Sequence, residues 1–344
     1  MFTREQYELI DFGDGRKLER MGELVLDRPC PTVNGVRPAY SDLWRSADVY
    51  FFERRFTGKK GTSSAALGVR GMWRPLSAAG ARFFAPREVD SLSQKLQPEE
   101  SISRSWMLPF SDKFVFELKG SPFGHVGVFP EQAENWDLIE ELCREGENRL
   151  GSPLRVLNLF GYTGGSALAA AFAHADVTHL DAAGNVVAQA KRNASLSFGT
   201  DRVDGDSCGD NCEKKHGAIR WITDDAVKFV KREERRKAGY HGIILDPPSY
   251  GHGARGEVWR LSRDLEPLLE RCVNLLNSDF NFTLLTGHTP NFRYQKLGQM
   301  LRQAYSRRFG SGTQTRFLAK PLGIRSRNGA ILPAGDMALA VFRK

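Results

Sequence analysis

Four segments carry residues whose types and spacing could do chemistry. The first is Asp246, Pro247, Pro248, Ser249 and Tyr250, which follow directly on the apolar stretch HGIIL. Neither proline can donate a backbone hydrogen bond, and each fixes its own φ. A tandem pair also pushes the residue before it toward an extended shape. A strand ending here must stop in one stiff conformation with a carboxylate at its tip. Asp246 can accept a hydrogen bond from an N–H. The carbonyls of Asp246 and Pro247, held outward by the prolines, can do the same. Tyr250 supplies an aromatic face for stacking on a base, worth ~1–3 kcal/mol in nucleic-acid binders.

The second segment is NLFGYTGGSA, where Gly161, Gly164 and Gly165 allow tight turning and close backbone approach before a helix N-terminus. Phe160 stands where the G-x-G-x-x-G dinucleotide fingerprint has its first glycine, so that fingerprint is absent. The third is Asp181, twenty residues past Gly161, at the end of VTHLD. An acid there suits a ribose diol. The fourth is the pair Asp224 and Asp225 after IRWIT. One of them suits the N-cap of a helix starting near Ala226; Asp225 is assigned to an adenine amino group. Three strand ends thus read as an adenosine site, and the Asp246 end faces the reactive part of the ligand.

The elements that must position these residues alternate. Strands are expected at 155–160, 177–181, 219–223, 241–246 and 280–287. Helices are expected at 166–175, 185–197, 226–239, around 266–276 and at 292–310, preceded by a helix in PEQAENWDLIEELCREG with Pro130 in its first turn. This alternation predicts an α/β, Rossmann-like, doubly wound and mostly parallel sheet. Ligands in such sheets bind beyond the carboxyl ends of the strands. TQTRFLAKPLGI and MALAVFRK predict a terminal antiparallel hairpin at one sheet edge. Residues 1–110 read as a smaller β-rich accessory or substrate-recognition domain, with an Asp14-Gly15 hairpin turn, and residues 111–344 as the α/β domain. GKKGTSSAALG and SLSQKLQPEES read as loops.

The chain has 344 residues, 41% hydrophobic and 26% charged, enough for about two domains with an ample core. No apolar run reaches the ~20 residues of a membrane span, and MFTREQYELID has no signal-peptide core. A soluble cytoplasmic protein is expected. Five scattered cysteines do not form a disulfide framework. Cys208, Cys212 and His216 have a ligand-like spacing but fall in a polar inserted stretch, DGDSCGDNCEKKHG, and no metal site is assigned. Net charge is +8; from residue 291 onward eleven Lys or Arg stand against one acid, Asp336, which suggests a polyanion footprint.

NLFGYTGG, Asp181, Asp225 and DPPSYG together resemble the class I S-adenosylmethionine-dependent methyltransferases. More narrowly they are similar to the bacterial group that modifies large-subunit ribosomal RNA as 5-methylcytosine or 7-methylguanine methyltransferases. That group shows N-L-F-x-Y-T-G at the first strand, D-P-P-x-aromatic at the fourth, and a G-x-F-x-x-Q-like segment before the core, here GVFPEQAENW. The aromatic comes one place later than in the amino-methylating N-P-P-Y signature. The resemblance implies that Asn158, Phe160, Gly161, Tyr162, Thr163 and Gly164 line the methionine side of S-adenosyl-L-methionine. Asp181 would hold the ribose and Asp225 the adenine. Asp246, Pro247 and Pro248 would form the reactive centre, with Tyr250 stacking on the target. Phe129 and Gln132 would close the cofactor pocket.

Two departures bear on the substrate. The small N-terminal RNA-binding module of some relatives is not recognised, so RNA contacts are expected from residues 1–110 and the basic tail. The 5-methylcytosine enzymes need a cysteine nucleophile to activate the ring. LLTGHTP holds none, the fourth strand has none before DPP, and Cys272 falls inside a helix. Methylation of a base in RNA, with ribosomal RNA as the substrate class, is the expectation, at a nitrogen or another target rather than at C5 of a pyrimidine. A methyltransferase for a protein or small molecule, and an RNA-binding protein with an inactive cofactor site, stay open. His252 and His288 follow the fourth and fifth strands, where either could reach the site or serve structure alone.

Overall fold

The structure is a computed structural model that describes residues 1–54, 70–85, 102–199, 216–252, 256–310 and 314–344. The chain divides into two compact units: Phe2–Pro130 with Ile324–Leu332, and Glu131–Gly323 with Pro333–Lys344 and Met1. Residues 58–68, 91–101 and 204–217, read above as loops, lie almost wholly outside the described residues.

In the first unit, β1 (Tyr7–Gly13), β2 (Arg16–Met21), β3 (Leu24–Pro29), β4 (Val49–Arg54) and β5 (Arg70–Pro75) form a five-stranded sheet in that order. The β1–β2 turn is the expected Asp-Gly, with φ of 48° at Asp14 and 75° at Gly15, both left-handed as a tight hairpin turn requires. Next come α1 (Ala78–Phe83), β6 (Phe84–Ala85), β7 (Ile102–Ser103), β8 (Trp106–Phe110) and β9 (Phe114–Leu118). The division after Pro130 lies beyond residue 110 because the β8–β9 hairpin is packed into this unit. Trp106 is buried, edge-on to Phe84, and its indole donates to the Met21 carbonyl at 3.1 Å.

The second unit begins with α2 (Ala133–Leu150), entered through a 3-10 turn at Pro130–Gln132 and closed by a left-handed Gly151. Then β10 (Arg155–Leu159), α3 (Gly165–Phe172), β11 (Asp176–Asp181), α4 (Gly184–Phe198), β12 (Ile219–Thr223), α5 (Ala226–Arg235) and β13 (Gly242–Leu245) alternate. A short hairpin, β14 (Tyr250–His252) and β15 (Val258–Arg260), precedes α6 (Leu261–Asn274), β16 (Phe280–Gly287), α7 (Tyr294–Phe309), β17 (Thr315–Arg325) and β18 (Ile331–Arg343). The expected elements form. α5 is shorter than expected, because Lys237 turns left-handed at φ 54° soon after Arg235.

The sheet runs β12-β11-β10-β13-β16-β18-β17, with β18 antiparallel to β16 and the first five strands parallel. The expected antiparallel pair therefore sits at one edge, its second strand inserted next to β16. All four residues of β13 and all eight of β16 are buried, as for strands covered on both faces. α5, α6 and α7 pack on the face bearing Leu157, Leu159, Ile243, Leu245 and Leu285. α2 lies on the other, where Gly146 abuts Phe280 so closely that a side chain would not fit. Buried polar groups inside β16 are paired: Thr283 with the Tyr305 hydroxyl at 2.9 Å, and that hydroxyl with Asn281 at 3.1 Å. Among the described residues no helix is long and apolar enough to cross a membrane.

The chain order reverses between β10 and β13: from β10 the order runs one way to β11 and β12, and from β13 the other way. A crevice at the carboxyl ends of these two strands is where a doubly wound sheet takes its ligand. The glycine turn and Asp246 are the two segments that open onto it.

Candidate active site

β10 runs into a turn that only a constrained backbone makes. Phe160 and Tyr162 adopt φ of 56° and 48°, and Gly164, the N-cap of α3, φ of 96°. Left-handed backbone costs a non-glycine residue roughly 1–2 kcal/mol, so two such residues in one turn need outside support. It comes from three sides. The Gly161 amide donates to the Leu180 carbonyl at 3.0 Å and the Tyr162 amide to Asp181 Oδ2 at 3.0 Å. From α4, buried Asn193 donates Nδ2 to the Thr163 carbonyl at 2.9 Å. From below, His179 and Asn158 press against Gly161, where a Cβ would lie 2.4 Å from His179 Cε1 and 2.8 Å from Asn158 Nδ2.

Asn158 is buried, with Nδ2 at 3.4 Å from His179 Nδ1. It supports the turn rather than lining it. His179 is fully buried and rests against Trp221 at 5.0 Å between ring centroids. Burial pushes its pKa down to about 4 against a smaller upward pull from the Tyr162 carbonyl, so the ring is neutral. Its Nε2 has no hydrogen-bond partner among the described residues.

Asp181 ends β11, and both its oxygens reach back to the backbone: Oδ2 to Tyr162 and Oδ1 to the Ala183 amide at 2.9 Å. Burial raises its pKa, while the amides of Ala183, Tyr162 and Ala182 pull it down. Each carboxylate oxygen keeps a lone pair beyond the bond it already accepts. Asp225 is the N-cap of α5, accepting from the Lys228 amide at 2.8 Å through Oδ1. Asp224 pairs with Arg232. The cap therefore falls on Asp225 itself, the residue assigned to adenine.

β13 stops at Leu245, as the prolines require, and Asp246 is held from two segments, the end of β16 and the 3-10 turn. Its Oδ1 accepts from Thr286 Oγ1 at 2.6 Å and faces His288 Nε2 at 3.4 Å. Its Oδ2 faces Gln132 Nε2 at 3.4 Å, and Gln132 Oε1 accepts from Asn135 at 2.7 Å. The loop after it is anchored too: Trp259 Nε1 donates to the Pro248 carbonyl at 2.7 Å, and Ser249 meets Thr289 at 2.5 Å. Trp259 packs on Phe160 at 5.1 Å, joining the proline loop to the glycine turn. Tyr250 begins β14 and is 49% exposed. Phe129 belongs to the other unit, its ring edge-on to His125 at 5.5 Å.

The structure thus brings Gln132, Phe160, Gly161, Tyr162, Thr163, Gly164, Asp181 and Asp246 together at the ends of β10, β11 and β13. Local sequence reasoning missed Asn193, Trp259 and Thr286. Cys143 and Cys272 are buried in helices, and burial pushes both thiols far up. Neither is a ready thiolate. Cys208 and Cys212 lie outside the described residues, and His216 is stacked on Phe198 with Nδ1 at 2.8 Å from the Gly217 carbonyl.

No family model matches the chain. Among curated proteins, Ribosomal RNA large subunit methyltransferase K/L of Pseudoalteromonas atlantica is 26% identical over 185 residues, 53% of this chain and 22% of the relative. The protein of the same name from Shewanella sp. (strain MR-4) is 32% identical over 171 residues, 49% of this chain and 20% of the relative. The chain thus spans about a fifth of the length of these relatives. Among solved structures, the SAM-dependent methyltransferase from Agrobacterium tumefaciens is 28% identical, with a TM-score of 0.72 over 98% of this chain and 90% of that one. The expected class I methyltransferase fold is borne out, and so is the resemblance to large-subunit ribosomal RNA methyltransferases.

Proposed function

We propose that this class I S-adenosylmethionine-dependent methyltransferase methylates a nitrogen of a base in RNA, with ribosomal RNA as the substrate class. The observation that carries the reading is the strand order of the second unit, which sets an acid-tipped β13 beside a glycine turn at the switch point. The residues fit the cofactor. Gly161 lets the turn lie flat on His179 and Asn158, which leave no room for a Cβ beneath it. Asp181 keeps acceptor capacity in a partly buried place. When bound, S-adenosylmethionine supplies a methyl group already activated on a sulfonium.

Phe160 to Gly164 would hold the methionine side, Asp181 the ribose hydroxyls and Asp225, through its second oxygen, the adenine amino group. The chain's further task is alignment, which supplies several kcal/mol of a barrier when the reacting atoms are held in line. Asp246 accepts the N–H of the target base. The carbonyls of Asp246 and Pro247, fixed by the prolines, add acceptors beside it. Tyr250, half-exposed at the head of β14, stacks on the base. A base within structured RNA must leave its stack to reach this corner. A nitrogen acceptor fits a site in which no described cysteine sits at the end of a strand of the seven-stranded sheet.

Five of the eleven cations after residue 290 pair with acids: Arg293 with Asp336, Arg307 with Glu270, Lys320 with Glu134, Arg327 with Glu8 and Arg343 with Glu145. The tail is therefore less of a polyanion footprint than its charge count. Lys296 and Arg302 on α7 instead rest on aromatic rings, 3.8 Å above Phe292 and 4.5 Å above Phe317. We assign RNA phosphates to these two cations of α7.

The test is incubation with methyl-labelled cofactor and undermethylated ribosomal RNA, followed by nucleoside mass spectrometry. Label in a nitrogen-methylated nucleoside is expected. Asp246→Ala is expected to abolish transfer while leaving the thermal shift given by S-adenosylmethionine. Label in protein or small molecules alone overturns the RNA reading, and no cofactor-dependent shift overturns the enzyme reading.

A further inference from the structure

His288 stands just beyond β16 with two acceptors about its ring. Nε2 faces Asp246 Oδ1 at 3.4 Å. The Ala334 backbone of β18 also acts on the ring as an acceptor, pulling its pKa up. The ring lies so close to Gly335 that a Cβ there would fall 2.7 Å from Nδ1, and Gly335 itself sits at φ 127°, open to glycine alone. A neutral imidazole carries one N–H and could serve one of these acceptors; only the imidazolium has an N–H to offer each. The charged groups around the ring favour that form. Asp246 and Glu131 both face it, while Asp336 across from Gly287 is already taken by Arg293 and the Tyr294 amide. The side chain is 42% exposed; the part that is covered would lower the pKa of this ring, but the Asp246 bond and charge, the Glu131 charge and the Ala334 carbonyl together raise it to about 9.

We propose that His288 is a positioning residue for methyl transfer: its imidazolium, with the Thr286 hydroxyl, clamps Asp246 through Oδ1 and leaves Oδ2 to receive the N–H of the acceptor base. The proposal rests on the methyltransferase reading. Three side chains converge on one carboxylate from two segments, Thr286 and His288 at the end of β16 on one oxygen and Gln132 of the 3-10 turn on the other. These contacts hold the carboxylate of Asp246 in one direction. The proton released by an amino acceptor after its N–CH3 bond has formed goes to Oδ2 and on to water. Doubly protonated His288 has no room for it.

Two measurements test this. The first needs no activity: the histidine ring resonances of isotope-labelled protein are titrated, His288 being assigned by its loss in His288→Gln. A midpoint near 9 is expected in the wild type, falling to the ordinary histidine value or below in Asp246→Asn. A wild-type midpoint at or below the ordinary value overturns the clamp. The second is kinetic. His288→Ala is expected to lower kcat about tenfold or more, the scale on which misplacement by an ångström acts, with cofactor affinity unchanged. His288→Gln, which keeps a neutral donor at the Nε2 position, should recover most of the rate. The wild-type kcat should fall as pH rises through the His288 midpoint, and His288→Gln should lack that limb. Full activity in His288→Ala, or the same limb in both proteins, overturns the proposal. If the wild type transfers no methyl to RNA, the functional reading fails, and the titration alone decides whether the clamp exists.

Discussion

Acid should loosen the glycine turn from beneath, through His179. Its pKa is held at about 4 by burial, against ~6.5 in an unfolded chain. A histidine with a depressed folded pKa gives stability that is fully present above the unfolded value. Below it the unfolded chain takes up a proton that the folded chain refuses, so stability falls with pH until the folded value is passed. The linkage amounts to about 2 kcal/mol lost between about pH 7.5 and about pH 5, and roughly 3 kcal/mol by pH 4. His125 and His241 are also depressed, chiefly by burial, and add to the slope. Asp181 acts in the other direction at the acid end, since burial raises its pKa and the folded state there takes a proton more readily. These shared terms cancel in a comparison with His179→Gln, which keeps an amide near Asn158 but cannot titrate. Urea unfolding of both proteins across this pH range is the assay. The wild type should lose about 2 kcal/mol more than the variant by about pH 5. Parallel stability curves would refute a neutral His179 under the turn, whatever the variant's absolute stability.

Gly161→Ala drives a methyl into the His179 ring at 2.4 Å. It should cost about 1–3 kcal/mol in urea unfolding, as overpacking does, and abolish the cofactor-induced thermal shift. Asp225→Ala should lose about 1 kcal/mol with the cap, whereas Asp225→Ser keeps the cap and the stability; both should bind cofactor weakly, and wild-type affinity in the serine variant would remove Asp225 from the adenine site. The double change Lys296→Glu and Arg302→Glu should flatten the salt dependence of RNA affinity by about 0.7–0.9 for each phosphate that is no longer neutralised. An unchanged slope in filter binding would put the RNA elsewhere.

The fold was legible because its signals are local. Apolar runs such as GIIL and FNFTLLTG, separated by helical periods, state a buried parallel sheet without knowledge of what packs on what. The strand-end acids were legible for the same reason: Asp181 directly closes a strand and Asp246 follows one at once, so topology carries both to one edge. Asp225 shows the limit of that logic. An acid at a strand end is also an acid at a helix start, and the structure gives its Oδ1 to the helix. The basic tail shows another limit, because Glu134, Glu145 and Glu270 neutralise it from segments far away in the chain.

The supports of Asp246 were hidden for a reason that belongs to sheets in general. Neither DPPSY nor LLTGHTP says that β13 and β16 are neighbours, and still less in what register. The register pairs Leu245 with Leu285, so the next residue on each strand, Asp246 and Thr286, must stand side by side. A slip of one residue would turn every side chain of β16 to the opposite face, taking Phe280 from its seat against Gly146 and Thr283 from the Tyr305 hydroxyl. The different packing of the two faces of β16 therefore fixes the register, and the register delivers a threonine hydroxyl and then a histidine to the carboxylate. On this argument the clamp on Asp246 is as stable as the core of the sheet. It should survive any surface change to the proline loop that leaves β13 and β16 packed.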